Sequence, residues 1–317
     1  MKIITPPAVM AEADRHDQAF LESLMASYRR AYLARDAGSL PVTPDVRFTE
    51  NNVELPFPEA SWDAVTDEVG PAMTFSDPAT GNVAAFTAIL MNGTPGFLTI
   101  RIKVVKGRIT EIEHMLSTKR GVSGPPTPFG KVEELTHQEG ISDPLPQGTE
   151  GCRAEVLNVG DGYFQTLSRN DGTLYTSFAE NCFRIENGYQ AAPQGAAKDF
   201  LLGRWRFNER VRREWIMVDE VRGICLARGF IDHKGLLLSY ELTDGSFRES
   251  PFQEPHTWSF LEMFKVKSGE IAAIEATFIG SPYYSRSPWA SEREDQDLNQ
   301  DWVGGAVRLA DAWTVRA

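Results

Sequence analysis

One acidic residue lies in a segment that is otherwise apolar. Glu262 shares the alternating face of Phe260 and Phe264 in a predicted strand, and Trp258 lies on the same face. A carboxylate on such a face needs a partner or a function, because its charged form is costly to remove from water. Desolvation also raises the pKa of a carboxyl group toward neutrality, where it can take up and return a proton. Glu262 therefore indicates acid–base chemistry.

Four further side chains could take part, and each has an ordinary structural interpretation as well. Tyr163 lies on a predicted helix that faces a sheet, a position where a tyrosine is more often a core residue with a satisfied hydroxyl. Glu186 and Asn187 could lie in a pocket, or they could end a strand at an Asn-Gly turn. Glu50, which is also followed by an asparagine, leaves the same choice open.

A possible proton relay lies further along the chain. Asp232 and His233 are adjacent, but the sequence Asp-His-Lys-Gly also fits a hairpin turn, and we favour the turn. Tyr240 and Trp258 could line an aromatic pocket, although aromatic residues on strands more often belong to a core. His256, near the start of a strand, is expected at the surface.

Motifs for nucleotide, metal and covalent chemistry are absent from the sequence. It contains no Gly-x-Gly-x-x-Gly, no phosphate loop, no His-x-x-x-His and no Gly-x-Ser-x-Gly. Cys152, Cys182 and Cys225 are odd in number and widely spaced, which fits neither a disulfide framework nor a Cys-x-x-Cys motif. Free thiols in a reducing compartment are the simplest interpretation. We therefore expect no cofactor, no metal and a cytoplasmic location.

Length and composition are typical of a globular protein. The chain has 317 residues, 42% hydrophobic and 24% charged, which leaves room for two domains with sizeable cores. The formal net charge is −12, from 44 acidic and 32 basic residues. This balance argues against nucleic acid or an anionic membrane surface as the main partner, because both require a basic face. No apolar run approaches the roughly 18 residues of a membrane span.

The two halves of the chain share a weak internal repeat. Tyr28 precedes Glu50 by 22 residues, and Tyr163 precedes Glu186 by 23. A similar hairpin sequence closes each half, at residues 102–113 and 264–275. Matches in the same order along the chain make coincidence a poor explanation.

In each half, helices come first and strands follow. Residues 14–35 carry apolar side chains at helical spacing, and residues 156–167 repeat this stripe. The predicted strands are 83–91, 97–105, 108–116, 213–218, 223–231, 236–242, 256–267 and 270–279. Helices followed by a run of antiparallel strands are typical of an α+β layer, with helices on one face of a curved sheet.

A Pro- and Gly-rich join separates the halves, as is typical of a linker. We expect a first domain over 1–118, a linker over 119–150, a second domain over 151–284 and a C-terminal tail over 285–317. The tail contains aromatic anchors and is expected to wrap a neighbouring surface.

Taken together, these features resemble a known family. Tyr163, Asp171 eight residues later, an acid that ends the next strand, and Glu262 two residues before a Phe are similar to the pattern of ketosteroid isomerase. That enzyme and its SnoaL-like relatives form part of the nuclear-transport-factor-2-like superfamily. The resemblance implies two tandem cone-shaped domains, each with a pocket for a small, largely apolar molecule.

The same resemblance implies roles for single residues. In the family, a helix tyrosine and a protonated acid on a late strand donate hydrogen bonds to the substrate oxyanion, and the acid that ends the first strand is the general base. By position these become Tyr163, Glu262 and Glu186. Glu186 is one methylene longer than the aspartate expected for the base. The remaining candidates for substrate contact are Asn187, Asp232, His233, Tyr240, Trp258, Tyr28 and Glu50.

In the first half the corresponding positions hold Tyr28, Glu50 and Ile100, so one donor is missing. This half is expected to be structural or to hold a weaker pocket, to which His114 could add a titrating group.

The leading hypothesis is a cofactor-independent isomerase, lyase or dehydratase that acts on an apolar cyclic or aromatic molecule. A non-catalytic small-molecule-binding or scaffold protein is the alternative. The two units could pair within one chain as a pseudo-dimer, or the chain could form a homodimer.

Overall fold

A computed structural model describes residues 4–121, 123–149, 151–192 and 194–290 of the chain. Most of the predicted C-terminal tail therefore lies outside the described residues. Its described beginning contacts the first half: Trp289 Nε1 donates a hydrogen bond of 2.9 Å to Thr49, and the guanidinium of Arg47 lies 4.4 Å from the centroid of the Trp289 ring. The helices between residues 4 and 290 that the structure describes include none with the length and apolar character of a bilayer span.

The first unit begins with helix α1 (Gln18–Ala34), within the predicted range 14–35. Asp17 caps it by accepting a hydrogen bond of 2.8 Å from the amide of Phe20. The helix ends at Arg35, which adopts the left-handed conformation. The buried side chains of α1 recur every three or four positions and face the sheet, as the apolar stripe predicts. They are Leu21, Leu24, Met25, Tyr28, Ala31 and Tyr32.

A six-stranded sheet follows α1. Its strands are β1 (Val42–Glu50), β2 (Val53–Leu55), β3 (Val65–Asp77), β4 (Asn82–Met91), β5 (Thr94–Val105) and β6 (Arg108–Thr118), and a single helical turn, α2 (Ser61–Ala64), lies between β2 and β3. The order is β2-β1-β6-β5-β4-β3. All neighbours are antiparallel except β1 and β6, which are parallel, so the first strand of the unit pairs with its last.

The second unit repeats this plan with α3 (Arg153–Arg169) packed against its sheet. A short helix, α4 (Ala196–Leu201), precedes the long strands. The strands are β7 (Ser177–Phe178), β8 (Arg184–Glu186), β9 (Tyr189–Gln190), β10 (Arg210–Asp219), β11 (Ile224–His233), β12 (Ser239–Glu241), β13 (Phe247–Glu249), β14 (His256–Lys267) and β15 (Glu270–Ser281). The main order is β10-β11-β14-β15-β8-β9, and β12 and β13 form a separate hairpin. The strand β8 is parallel to β15.

The two units also share one hydrogen-bond motif. Asn51 follows β1 with a positive φ, and its side chain pairs with both the N–H and the C=O of Leu116 on β6. Asn187 follows β8 with a positive φ and makes the same two bonds to Phe278 on β15. Asparagine suits both requirements, because it tolerates the left-handed region and carries a donor and an acceptor.

The two sheets pack against each other on the faces that do not carry the helices. In β4, Val83 and Ala85 belong to the core beneath α1, whereas Ala84 and Phe86 belong to the core between the sheets. Because both faces are buried, this strand is a continuous apolar run. Across the interface, the hydroxyls of Thr99 on β5 and Thr277 on β15 lie 2.7 Å apart.

An ion cluster also joins the sheets. Glu113 on β6 accepts hydrogen bonds from Arg101 on β5 at 2.8 Å and from Arg228 on β11 at 2.6 Å, and all three side chains are buried. Burial by itself would raise the pKa of Glu113, but the charges of Arg228 and Arg101 outweigh it and hold that pKa below its usual value. The cluster therefore ties the two units together through a carboxylate that stays ionised.

The predicted fold class is confirmed: the chain is α+β, with two halves that each place a helix on a curved sheet. The sheets are mixed rather than purely antiparallel, since the first strand of each unit runs parallel to the last. Strand β3 was not predicted because Gly70 and Pro71 interrupt its pattern. The structure accommodates them at a register shift between Val69 and Met73.

Candidate functional site in the second unit

Tyr163 and Glu262 meet in the core of the second unit. Tyr163 projects from the buried face of α3, and Glu262 lies on β14 between the buried rings of Phe260 and Phe264. The Tyr163 hydroxyl donates a hydrogen bond of 3.1 Å to Glu262 Oε1, and both side chains are 0% exposed. The amphipathic helix and the alternation of the strand are what bring the two groups face to face.

Burial sets the protonation of both groups. It raises the pKa of Glu262 to about 8, which the positive charge of Arg184 opposes and the negative charge of Glu186 reinforces. Burial also raises the pKa of Tyr163 well above its usual value. At neutral pH the pair therefore consists of a carboxylic acid and a phenol, both uncharged. Because the one O–H of Tyr163 is donated to Glu262 Oε1, the free donor of the pair is the carboxyl proton of Glu262.

Glu186 reaches the same region from β8. It is paired in register with Ala276 of β15, and Ala276 is paired with Glu262 of β14. Residues paired across neighbouring strands share a face, so the two carboxyl groups lie on one side of the sheet with β15 between them. Glu186 is buried and forms a close ion pair with Arg184.

Arg184 is the site residue that sequence reasoning missed. It lies two positions before Glu186 on the same strand face, and its guanidinium carbon lies 5.7 Å from the centroid of the Tyr163 ring and 4.7 Å from that of Trp205. The signal was available, because a period of two from a candidate base identifies the side chains that point the same way. The sequence around β8 shows little apolar alternation, so the strand was not predicted.

Several polar atoms at this site have no hydrogen-bond partner among the described residues. They are Glu262 Oε2 and two nitrogens of Arg184, Nε and Nη1. Buried polar groups are nearly always satisfied, and an exception calls for an explanation. Since Tyr163 donates to Oε1, the proton of the neutral Glu262 carboxyl is available on Oε2. The unpartnered atoms are therefore donors, which suit an oxygen atom of a bound molecule.

A family model described as "Domain of unknown function (DUF8021)" matches residues 150–278. This range contains Tyr163, Arg184, Glu186 and Glu262. No curated protein matches the chain.

Solved structures similar to part of the chain include nuclear-transport-factor-2-like proteins. AclR from Streptomyces galilaeus is 16% identical, with 32% of this chain and 82% of that chain covered and a TM-score of 0.27. An NTF-2-like protein of unknown function from Burkholderia xenovorans is 12% identical, with 33% and 89% covered and a TM-score of 0.24. The de novo designed NTF2-fold protein NT-9 is 15% identical, with 32% and 88% covered and a TM-score of 0.22. Similarities at this level say nothing about a reaction.

The turn interpretation of Asp232 and His233 is wrong, because both residues lie within β11 and are buried. Asp232 accepts hydrogen bonds from Arg210 at 2.8 Å and from Arg212 at 2.9 Å, which leaves it a structural anchor. His233 Nε2 donates a hydrogen bond of 2.8 Å to Asn208 Oδ1. The pairing of β11 with β14 extends to the last residue of β11, and the turn begins only after it.

The surface position expected for His256 is also wrong. It is buried, pairs in register with His233 and stacks on its ring at 4.4 Å between centroids. Trp258 and Tyr240 lie in the aromatic cluster around Phe252, beside this histidine pair. The described contacts of Tyr240 and His233 do not include the Tyr163–Glu262 pair. Across the described part of the chain, no group of three or more His, Cys, Asp or Glu side chains is placed to hold a metal ion.

The remaining candidates divide between the units. Asn187 is adjacent to Glu186, but its amide is occupied by the backbone of Phe278. In the first unit, Tyr28 and Glu50 come together through a histidine that the register places opposite Glu50.

Proposed function

We propose that the second unit catalyses a cofactor-independent acid–base reaction of the isomerase, lyase or dehydratase type on an apolar cyclic or aromatic molecule. One observation carries the proposal. A fully buried carboxyl group, Glu262, accepts a hydrogen bond from Tyr163 at one oxygen, and its other oxygen has no hydrogen-bond partner among the described residues. Burial raises its pKa to about 8, which favours the protonated form at pH 7. Such a group stabilises a developing oxyanion without adding charge to the resting site.

Each residue has a part in this reaction. Glu262 donates a hydrogen bond to the carbonyl oxygen of the substrate, and Tyr163 joins it when its hydroxyl turns from Glu262 Oε1 to that oxygen. Glu186 removes a proton from the neighbouring carbon, the electron pair of that C–H bond forms a C=C bond to the carbonyl carbon, and the π pair of the C=O bond moves onto the oxygen. The enolate collapses when Glu186 returns the proton to another carbon, or when a leaving group departs. Arg184 positions Glu186 and adds positive charge beside the enolate.

The surroundings favour an apolar substrate. The Tyr163 ring contacts Phe164, Phe200 and Phe264 with centroids 4.8 to 5.4 Å apart, and Trp205 covers Arg184. Because Tyr163 and Glu262 are 0% exposed, a substrate reaches them only when this cover moves. Phe200 on α4 and Trp205 after it are the elements that have to be displaced.

Proton abstraction can be tested without knowledge of the product. The protein is incubated in deuterium oxide with a panel of ketones (cyclohexanone, indanone and tetralone), and proton NMR follows the loss of signal at the carbon next to the carbonyl. We expect exchange to be faster with wild-type protein than with Glu186→Gln, and unaffected by Glu249→Gln, which changes an exposed carboxylate. Exchange that is equally fast with Glu186→Gln refutes the role of Glu186.

A second candidate function is binding without turnover. The close ion pair between Arg184 and Glu186 favours it, because the guanidinium occupies the carboxylate that would have to accept the proton. In the same experiment, shifts of the ketone signals without exchange support this candidate. If no ketone shows either shifts or exchange, both candidates fail for carbonyl compounds.

A further inference from the structure

Residues 127–138, between the two units in the chain, form a strap that contacts both of them. Toward the second unit, the amide of Gly130 donates a hydrogen bond of 2.8 Å to the carbonyl of Asn187, which follows β8. Toward the first unit, Leu135 belongs to the same buried apolar cluster as Phe97 of β5. The strap is therefore part of the contact between the units and not a free linker.

The strap covers a buried acid, Glu275 of β15. Its neighbours Ile274 and Ala276 belong to the core beneath α3, so by alternation Glu275 points toward the first sheet. Its side chain is 4% exposed. Oε1 accepts a hydrogen bond of 2.8 Å from the amide of Gln138, and Oε2 lies 2.7 Å from Nδ1 of His137. Both hydrogen bonds that the structure describes for this carboxyl group come from the strap.

The other ring nitrogen of His137 faces the first unit. Nε2 lies 3.2 Å from the carbonyl oxygen of Pro71 on β3. Pro71 lies in the register shift between Val69 and Met73, where β3 and β4 are not paired. One imidazole ring thus connects a backbone carbonyl of the first unit to a carboxyl group of the second.

The two partners of His137 determine its charge. A carboxylate oxygen and a backbone carbonyl oxygen are both acceptors, and a neutral imidazole has only one N–H. Both contacts are hydrogen bonds only when the ring is an imidazolium. Burial by itself lowers the pKa of His137, but the hydrogen bond to Glu275 and the negative charge of that residue outweigh burial. The carbonyl of Pro71 adds to their effect, so the pKa of His137 is raised above its ordinary value of 6.5.

Among the described residues, Glu275 is the ionisable group that acts on the pKa of His137. Along β3, the charged residue nearest to Pro71 is Glu68, and its carboxylate is bound by Arg29 at 2.8 Å. The strap and the residue after it carry only exposed charges around His137, at Lys131, Glu133, Glu134 and Glu139. The other strands contribute uncharged walls beside His137, namely Phe86, Thr87, Phe97 and Ile185.

We propose that His137 is a pH-sensitive latch, whose imidazolium holds the strap to both units and whose loss of a proton to solvent releases the strap. The neutral ring turns a lone pair toward one of the two oxygens, so one hydrogen bond is replaced by repulsion, and Glu275 loses its counterion. The stability that the latch contributes is fully present below pH 6.5 and is lost as the pH rises through the raised pKa of His137. This device does not depend on the function proposed for the second unit.

Hydrogen–deuterium exchange of the full chain, followed by mass spectrometry of peptides from residues 127–138, tests the latch. Protection is expressed relative to the exchange rate of an unstructured chain at each pH, which removes the intrinsic pH dependence. We expect protection of the wild-type strap to fall about tenfold between pH 6 and pH 9, the effect of losing one charge-assisted hydrogen bond, while β14 and β15 stay protected. His137→Gln should show the lower protection at both pH values. His16→Gln, which removes a histidine that stacks on Phe20 outside the strap, should behave as wild type.

Proton–carbon NMR of the histidine rings gives a second readout that does not require the strap to open. The His137 signal is identified by its absence from His137→Gln. We expect its pKa to lie above 6.5 in wild-type protein and to fall in Glu275→Gln, where nothing of that charge opposes burial.

Four results overturn the proposal. They are a wild-type pKa of His137 at or below 6.5, equal protection of the strap at pH 6 and pH 9, and a fall between these pH values that persists in His137→Gln. The fourth is a fall that extends to β14 and β15, because the units then unfold together instead of releasing the strap.

Discussion

The substitution Glu262→Gln tests the neutral carboxyl group through stability. Glutamine has nearly the shape of a protonated glutamic acid but does not titrate. The variant therefore carries an uncharged side chain at every pH, as the buried site prefers. In wild-type protein the pKa of Glu262 is raised from 4.5 to about 8 by burial. The folded state therefore binds the proton more tightly than the unfolded chain does.

The sign and size of the effect follow from this difference. The stability that Glu262 contributes is fully present below pH 4.5 and is lost as the pH rises through about 8. At about 1.4 kcal/mol for each pKa unit, wild-type protein loses about 3 kcal/mol between pH 5 and pH 8 through this residue alone. Glu262→Gln does not undergo this loss.

The assay is urea denaturation at pH 5, 6, 7 and 8, followed by tryptophan fluorescence. We expect the free energy of unfolding of Glu262→Gln, relative to wild type, to increase by about 3 kcal/mol over this range. Glu249→Gln, at an exposed position, controls for the loss of one negative charge and should show no such increase. Parallel pH profiles for wild type and Glu262→Gln would refute the reasoning, because Glu262 would then be ionised in the folded protein.

Three further changes test the packing described above. Ala60→Gly relieves a backbone conformation that favours glycine. We therefore expect the free energy of unfolding, measured by thermal denaturation, to rise by about 1 kcal/mol, and a decrease contradicts the strain. Tyr28→Phe breaks the buried hydrogen bond of 2.9 Å to His114 Nε2 and should cost about 1 kcal/mol in urea denaturation, and an unchanged free energy of unfolding contradicts that bond. Glu113→Gln removes the carboxylate that two buried arginines share and leaves each with one half-buried partner, Glu111 or Glu214. It should cost about 3 kcal/mol, and a cost below about 1 kcal/mol contradicts the role of the ion cluster.

The sequence contained the clearest sign of the second-unit site. Glu262 stands out because an acid on an apolar strand face has few explanations, and the structure places it in the core beside Tyr163. The helical stripe of α3 likewise directs Tyr163 toward the sheet. Both inferences work because burial and periodicity are local properties of the sequence.

Other parts of the site depend on tertiary pairing, so the sequence suggested Glu186 only through the family resemblance and Arg184 was missed. Arg184 and Glu186 lie on a strand of three residues, which gains its place only by pairing with β15, about ninety positions later in the chain. In the first unit, His114 lies beside Glu50 and Tyr28 because β6 is parallel to β1, and no hairpin pattern predicts that pairing. Trp62 packs against Tyr28 and Tyr32 because the chain turns at Ala60 with a positive φ. An alanine in the sequence does not predict such a turn.

The protonation state of Glu262 governs the function proposed for the second unit. If Glu262 is a neutral donor beside Tyr163, the second unit is built to stabilise an oxyanion. If it is ionised, the cluster with Arg184 and Glu186 is a structural ion network.

Isotope-edited infrared spectroscopy of protein labelled at the glutamate carboxyl carbons measures this directly. The labelled C=O stretch of a protonated carboxyl group is separate from the bands of a carboxylate, and the difference between wild type and Glu262→Gln isolates Glu262. At pH 7 we expect the difference spectrum to show the protonated band, and to lose it with a midpoint near pH 8. A difference spectrum at pH 7 that contains only carboxylate bands would contradict the proposed chemistry.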